Sequence, residues 1–94
     1  IIKRGALIRG PAIIGENATI EAGVYIGPYT SIGNHATVER GEIENSIIMD
    51  HCHIDVDEKI TDSLIGPHST ITSSENTKPK GRRFIIGERS NITL

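Results

Sequence analysis

Aliphatic residues recur every six positions through the first part of the chain. The run comprises Ile2, Ile8, Ile14, Ile20, Ile26, Ile32 and Val38. Four residues after each of the first six stands a small or β-branched residue: Ala6, Ala12, Ala18, Val24, Thr30 and Ala36. Six is a multiple of the two-residue period of a strand and does not match the 3.6 of a helix. The pattern therefore predicts short strands, each followed by a turn.

The spacing also predicts that three such units close one triangular coil, so that residues 18 apart stack at about 4.8 Å. The third, sixth, ninth and twelfth units begin at Ile14, Ile32, Ile48 and Ile65, provided the units starting at Val38, Ile43 and Ile60 are each one residue short. Three residues into these four units stand Asn17, His35, His51 and His68. Such residues are enriched among non-glycine left-handed conformations, and Gly5, Gly23 and Gly41 form a second matched column. Thirteen units would make just over four coils.

The period breaks at Thr72 to Phe84 (TSSENTKPKGRRF) and resumes at Ile86. We interpret the break as an excursion within one domain, because 94 residues support one small core. The prediction is β-helix coils over residues 1–71, a basic loop over 72–84 that lies across the end left by the last coil, and a closing strand over 85–94. Covering that end would protect its unpaired backbone groups.

Composition narrows the possible functions. The net charge of −2 supplies no general field for nucleic acid or an anionic membrane, and we expect neither as a partner. No apolar run approaches the roughly 20 residues that span a bilayer, and the single Cys52 cannot form an internal disulfide. A reducing, cytoplasmic location is therefore expected. The chain begins at Ile1 with its one methionine at Met49, which suggests a fragment of a longer protein.

Several units resemble the hexapeptide motif of left-handed β-helix proteins: IGENAT from Ile14, IGPYTS from Ile26, IGNHAT from Ile32 and IGPHST from Ile65. The resemblance implies left-handed crossovers, an exception to the usual right-handed rule. More narrowly, ENSII from Glu44, DSLIGPHSTI from Asp62 and KPKGRRFIIGERSNITL from Lys78 resemble the C-terminal domain of long-form glucose-1-phosphate thymidylyltransferases. Related uridylyl- and guanylyltransferases carry similar tails.

The family resemblance implies an oligomerisation and support domain with no catalytic, cofactor or metal residues of its own. In that family an N-terminal nucleotidyltransferase domain joins a nucleoside triphosphate to a sugar 1-phosphate with Mg²⁺ and releases pyrophosphate. That domain would be this chain's first partner. A homo-oligomer is the second expected partner, with a trimer favoured because the fold commonly makes trimers.

The main alternative is a hexapeptide-repeat acyltransferase, either free-standing or as the tail of a bifunctional enzyme, that uses His35, His51 or His68 as general base. Carbonic anhydrases of related fold bind zinc with three histidines, so the column is also a candidate metal site. A structural explanation fits better, because all three histidines fall at one turn position that Asn17 also occupies. His53 lies off the column. A purely structural repeat protein remains a third alternative.

Other reactive side chains have structural explanations too. Cys52 matches Ala36 and Ser69 in its unit and is predicted to be a buried filler. The cations Lys78, Lys80, Arg82 and Arg83 could meet phosphate but are predicted to form a solvated face. The acidic residues Asp55, Asp57 and Glu58 show no metal-ligand spacing.

Overall fold

The computed structural model describes residues 1–73 and the backbone of two later strands, at residues 85–86 and 91–93. The described strands are β1 (Leu7–Ile8), β2 (Ala12–Ile14), β3 (Thr19–Ile20), β4 (Tyr25–Ile26), β5 (Thr30–Ile32), β6 (Thr37–Glu44), β7 (Ile47–Ile48), β8 (His53–Thr61), β9 (Leu64–Ile65), β10 (Thr70–Thr72), β11 (Ile85–Ile86) and β12 (Asn91–Thr93). Most contain two or three residues, as short strands between turns require. This part of the chain contains no helix long and apolar enough to cross a membrane.

Every described strand pairs in parallel with a strand of a neighbouring coil. Ile14 lies beside Ile32, Ile32 beside Ile48, and Ile48 beside Ile65. These offsets of 18, 16 and 17 residues are the ones expected from the short units, so the predicted coil register is confirmed. The fold is a left-handed parallel β-helix of about four turns, as the hexapeptide resemblance implied.

The coils form a prism with three faces. The first face contains β3, the first halves of β6 and β8, then β10 and β12. The second face contains β1, β4 and the second halves of β6 and β8. The third face contains β2, β5, β7, β9 and β11. Because β6 and β8 run through the corner between the first two faces, those faces form one seven-stranded sheet.

Aliphatic side chains fill the interior of the prism. The repeat isoleucines of the middle coils, such as Ile20, Ile32 and Ile54, are at most 1% exposed. Each contributes about 1.5–3 kcal/mol by leaving water. At the N-terminal end the first coil has no neighbour above it, and Ile2 is 52% exposed. The stacked isoleucines of the middle coils therefore form the core of the prism.

All three corners carry a column of left-handed backbone. Asn17, His35, His51 and His68 have φ between 58° and 63°, and Gly5, Gly23 and Gly41 also have positive φ, so both predicted columns are confirmed. A third column, Tyr29, Asn45 and Asp62, was not anticipated. Its members share no side-chain type, and two of them lie in units shortened by one residue, which conceals the alignment in the sequence.

The short unit that begins at Val38 changes the corner between the first two faces. β6 pairs with β8 through register shifts on both sides of Arg40. Val56 of β8 is fully buried there, and a Cβ placed on Gly41 would lie 2.8 Å from its Cγ2. Gly41 thus leaves the space that Val56 fills.

The return of the chain after the last complete coil is visible in the backbone. β10 continues through Thr72, β11 lies beside β9, and β12 lies beside β10. The predicted basic loop falls mostly on residues 74–84, which lie outside the described residues together with Lys78, Lys80, Arg82 and Arg83. Its position across the end left by the last coil stays a prediction.

Candidate functional site

The histidine column lies on the corner between the third and first faces. The rings of His35 and His51 stack with centroids 5.0 Å apart and planes 9° from parallel. His51 and His68 stack at 4.9 Å and 2°. This spacing matches the coil repeat, so the sequence correctly placed the three rings on successive coils. All three side chains are exposed to solvent.

Backbone hydrogen bonds explain why this corner is so regular. The amides of His35, His51 and His68 each donate to a carbonyl of the preceding coil, at 2.8–3.0 Å. Beside them, the amide of Glu16 donates to Asn34 Oδ1 at 2.7 Å, and the amide of Asn34 donates to Asp50 Oδ1 at 2.9 Å. Each corner is therefore bonded to the next by both backbone and side chain. The left-handed turn is what aims these donors along the prism axis.

The geometry of the column favours a structural turn over a general base. A catalytic histidine usually has a second group that orients its ring. Within the part of the chain that the structure describes, no hydrogen bond or ion pair joins the three column rings to a carboxylate. The histidine that does meet an acid is His53, whose Nε2 lies 3.3 Å from Glu39 Oε1 on the first face. The sequence had set His53 aside because it lies off the column.

Cys52 is buried inside the prism. Its side chain is 2% exposed and lies in one column with Ala36 and Ser69, which are fully buried. The thiol donates a hydrogen bond to the carbonyl of Gly66 at 3.1 Å. Burial raises the pKa of Cys52, and backbone hydrogen bonds offset only part of that effect. A buried thiol with a raised pKa is a poor nucleophile.

The acidic residues Asp55, Asp57 and Glu58 have different surroundings. Asp55 accepts a 2.5 Å hydrogen bond from Arg40 Nε, Asp57 is exposed, and Glu58 is buried at the corner. The side-chain hydrogen bond and charge of Asp55 raise the pKa of Arg40. No group of three or more His, Cys, Asp or Glu side chains among the described residues could hold a metal ion.

A second ion pair links the same two strands on the next face. Lys59 Nζ of β8 lies 2.9 Å from Glu44 Oε1 of β6. The hydrogen bond and charge of Glu44 raise the pKa of Lys59. Sequence reasoning missed both cross-coil pairs, since they become neighbours only once the short units fix the register of β6 against β8.

The third face was also missed. Its outward side chains form an exposed apolar ridge: Ile13 at 68%, Ile47 at 50% and Leu64 at 42%, with Ser31 between the first two. The sequence does contain a signal for this ridge. In the third, ninth and twelfth units, the residue before the repeat isoleucine is itself aliphatic. A run of Ile-Ile and Leu-Ile pairs indicates one strand side that is apolar outward as well as inward.

Stacked parallel coils with an aliphatic interior place the chain in the left-handed β-helix class. The model of one family, the GMPPB C-terminal domain, matches residues 8–93. The chain therefore belongs to the family of GMPPB C-terminal domains. None of the solved structures matches the chain significantly.

Several curated proteins are similar to this chain. It is 42% identical over 70 residues to the low-salt glycan biosynthesis nucleotidyltransferase Agl11 of Haloferax volcanii, which is 74% of this chain and 20% of that protein. It is 37% identical over 87 residues to a glucose-1-phosphate thymidylyltransferase of Streptomyces antibioticus, 93% of this chain and 24% of that protein. A probable mannose-1-phosphate guanyltransferase of Schizosaccharomyces pombe is 37% identical over 62 residues, 65% of this chain and 15% of that protein. The chain thus spans at most about a quarter of these relatives.

Proposed function

We propose that this chain is the C-terminal domain of a sugar-1-phosphate nucleotidyltransferase and serves to support and assemble that enzyme. The observation that carries the proposal is the family match over residues 8–93, together with relatives that are named as nucleotidyltransferases. The parent enzyme would join a nucleoside triphosphate to a sugar 1-phosphate and release pyrophosphate. Glucose 1-phosphate with dTTP is the first pair to test, because the Streptomyces antibioticus relative is named as a glucose-1-phosphate thymidylyltransferase.

The architecture supports a structural role for the domain. Its interior is packed with aliphatic side chains and its faces are flat sheets. The first coil leaves Ile2 exposed at the N-terminal end, where the preceding polypeptide would enter. Covering this end would bury apolar surface and pair the free strand edges.

The Mg²⁺ expected of the parent enzyme does not fit the described residues. Carboxylates here point along different faces, and two of them are engaged by Arg40 and Lys59. Mg²⁺ requires near-octahedral oxygen ligands, usually one or two carboxylates with substrate phosphates. We therefore propose that Mg²⁺ binds in the N-terminal domain.

The acyltransferase alternative gains no support from the comparisons, since the relatives carry names of nucleotidyltransferases. A cytoplasmic location and the lack of nucleic-acid or membrane partners stay predictions of the sequence.

The test is a pyrophosphate-release assay on the complete natural protein that contains this chain. It would be supplied with Mg²⁺ and with pairs of one nucleotide and one sugar 1-phosphate, beginning with dTTP and glucose 1-phosphate and then GTP and mannose 1-phosphate. We expect turnover with at least one pair by the complete protein and none by the 94-residue chain alone. A complete protein inactive with every pair would overturn the proposal.

A matched variant separates the two candidate chemistries. His51→Asn in the complete protein removes the middle imidazole while retaining a side chain that tolerates left-handed backbone. Nucleotidyl transfer should be unchanged. Acyl transfer from acetyl-coenzyme A that disappears with this substitution would instead support the histidine column as a catalytic site.

A further inference from the structure

The three faces of the prism differ sharply in charge. Outward positions of the first face carry Glu21, Glu39 and Asp55, and those of the second face carry Arg9, Glu42, Glu44 and Lys59. On the third face the described outward residues are Ile13, Ser31, Ile47 and Leu64 in one column and Gly15, Gly33, Met49 and Gly66 in the other. None of these eight is charged. The third face is thus the one on which another copy would meet no like charges.

The two columns of outward residues on the third face project to different extents. The first column, which we call the ridge, projects aliphatic side chains, whereas the second, the groove, is lined by glycine except at Met49. The ridge itself has a gap at Ser31, where Ile13, Tyr29 and Ile47 surround a cavity of about 310 Å³. Uncharged and apolar surfaces of this kind mark protein interfaces.

We propose that the third face is the interface between two copies of this chain, related by a two-fold axis parallel to the prism axis. This inference rests on the assembly role proposed above and identifies the surface that performs it. Such an axis keeps each coil level with the same coil of the second copy. It also reverses the strand direction across the interface, which places the ridge of each copy over the groove of the other.

With the coils level, Met49 lies over Ile47 of the second copy and Ser31 lies over Gly33 of the second copy, so the protruding Met49 and the gap at Ser31 are one coil apart. Met49, the one large side chain of the groove, faces the partner's ridge one coil above the gap at Ser31. A coil step is about 4.8 Å, within reach of a methionine side chain. Methionine is unbranched and adapts to irregular gaps. Met49, 42% exposed in the single chain, would therefore fill the Ser31 cavity of the second copy.

The rims of the face also match. The corner beside the groove carries Glu16, Asn34, Asp50 and Pro67, and the corner beside the ridge carries Pro11, Tyr29, Asn45 and Asp62. Level coils pair these in order, so that Glu16 meets Pro11, Asn34 meets Tyr29, Asp50 meets Asn45 and Pro67 meets Asp62. Each carboxylate faces a neutral residue. An axis perpendicular to the prism would instead place ridge on ridge.

A pair fits this surface better than the trimer expected from the fold. An isologous two-fold contact uses one self-complementary patch, whereas a three-fold ring needs two different complementary patches on each chain. In the described part of the prism the second patch would fall on a charged face.

The size of the face sets the strength of the contact. Four strands about 4.8 Å apart and five residues at about 3.3 Å each give roughly 300 Å² of flat area per copy. The total accessible surface removed would be somewhat under about 1,000 Å², below the roughly 1,200–2,000 Å² of stable interfaces. We therefore expect a concentration-dependent dimer.

The experiment is sedimentation equilibrium of the 94-residue chain from micromolar to about millimolar concentration. The mass should rise from 10.2 kDa toward twice that value. Ile47→Asp, which places a charge on the ridge, should remain monomeric. Leu7→Asp is the matched control, because Leu7 is an outward strand residue of the second face with 54% exposure, close to the 50% of Ile47. It should dimerise as the unchanged chain does.

A milder second variant keeps the test valid if Ile47→Asp unfolds the chain. Met49→Ala should weaken dimerisation about tenfold while leaving the circular dichroism spectrum unchanged. A monomeric mass throughout, a limiting mass of three chains, or equal loss in Ile47→Asp and Leu7→Asp would overturn the interface. Any of these results together with an active complete enzyme would leave the nucleotidyltransferase proposal standing, whereas an inactive complete enzyme with a dimeric domain would overturn only that proposal.

Discussion

Two kinds of glycine hold the corners together, and they restrict side chains for different reasons. Gly23 has φ of +85°, but a Cβ placed there would meet nothing within 4 Å. Gly33 has no such backbone constraint, yet a Cβ there would lie 2.6 Å from the amide nitrogen of Asp50 and 2.5 Å from the carbonyl carbon of Met49. The first glycine relieves backbone strain, and the second permits close stacking of successive coils.

We predict that Gly33→Ala destabilises the fold more than Gly23→Ala. Gly23→Ala should cost about 1–2 kcal/mol, the penalty of an L-residue in left-handed backbone. Gly33→Ala displaces backbone rather than a flexible side chain, so it should cost at least about 2–3 kcal/mol by overpacking. Urea unfolding of the two variants beside the unchanged chain gives both values. The reverse order would show that the corner at Asp50 can move apart.

Cys52 makes stability depend on pH in the alkaline range. Its raised pKa means that the unfolded chain ionises first, near the ordinary thiol value of 9.0, while the folded thiol keeps its proton. The stabilisation that the protonated Cys52 thiol gives the folded state is therefore fully present below the unfolded pKa. It is lost as pH rises toward the folded pKa. The slope from one proton is at most about 1.4 kcal/mol per pH unit.

Cys52→Ser supplies the matched control for this prediction. Serine already occupies the next position of the same column at Ser69, where its hydroxyl donates to the carbonyl of Gly66 at 2.8 Å. It does not titrate in this range. The unfolding free energy of the unchanged chain should fall relative to Cys52→Ser above pH 9.0. Parallel pH profiles for the two proteins would contradict the assigned cause.

At the scale of strands and turns, much of the fold followed from the sequence. The six-residue period fixed the inward isoleucines, and the one-residue deletions fixed which of them stack, as the pairing of Ile43 with Ile60 shows. The third left-handed column was missed although Asn45 and Asp62 are of residue types enriched in that conformation, because Tyr29 of the same column carries no such signal. The pair of Arg40 with Asp55 depends on the register shifts around Arg40, which the period does not determine. Lys59 and Glu44 flank the paired Ile60 and Ile43, but the period does not show that their side chains form an ion pair.

The histidine turn gives a prediction at this scale. His51→Asn should change the unfolding free energy by less than about 0.5 kcal/mol, since the side chain is exposed and asparagine tolerates φ near 60°. His51→Val should cost about 1–2 kcal/mol, because a β-branched residue is strained in that conformation. Thermal unfolding would measure both. A large loss in His51→Asn would mean that ring stacking, and not backbone conformation, selects histidine here.

At the scale of the whole molecule, the prism behaves as a stack in which each coil is held by its neighbours. Middle coils have partners on both sides, whereas the first coil has one. In repeat folds of this kind, stability is the sum of each unit and its interfaces, so the ends open first. The first coil, with Ile2 half-exposed, is the end that a preceding polypeptide would stabilise.

The expectation that the first coil opens first can be made specific to single amides, because backbone groups along a parallel strand point alternately to the two neighbouring strands. In the first coil the amides of Leu7, Arg9 and Gly15 donate to carbonyls of the second coil at 2.8–2.9 Å. Successive residues of a strand point their backbone groups to opposite neighbours, so the amides of Ile8 and Ile14 face the open end. Hydrogen exchange followed by NMR should therefore show Ile8 and Ile14 exchanging at least about tenfold faster than the residues beside them in the chain. Their counterparts one coil on, Ile26 and Ile32, should be among the slow amides because both sides of that coil are paired. Equal protection of Ile8 and Ile26 would show that something already covers the N-terminal end, and the exchange rates of dilute and concentrated samples would then tell whether a second copy provides the cover.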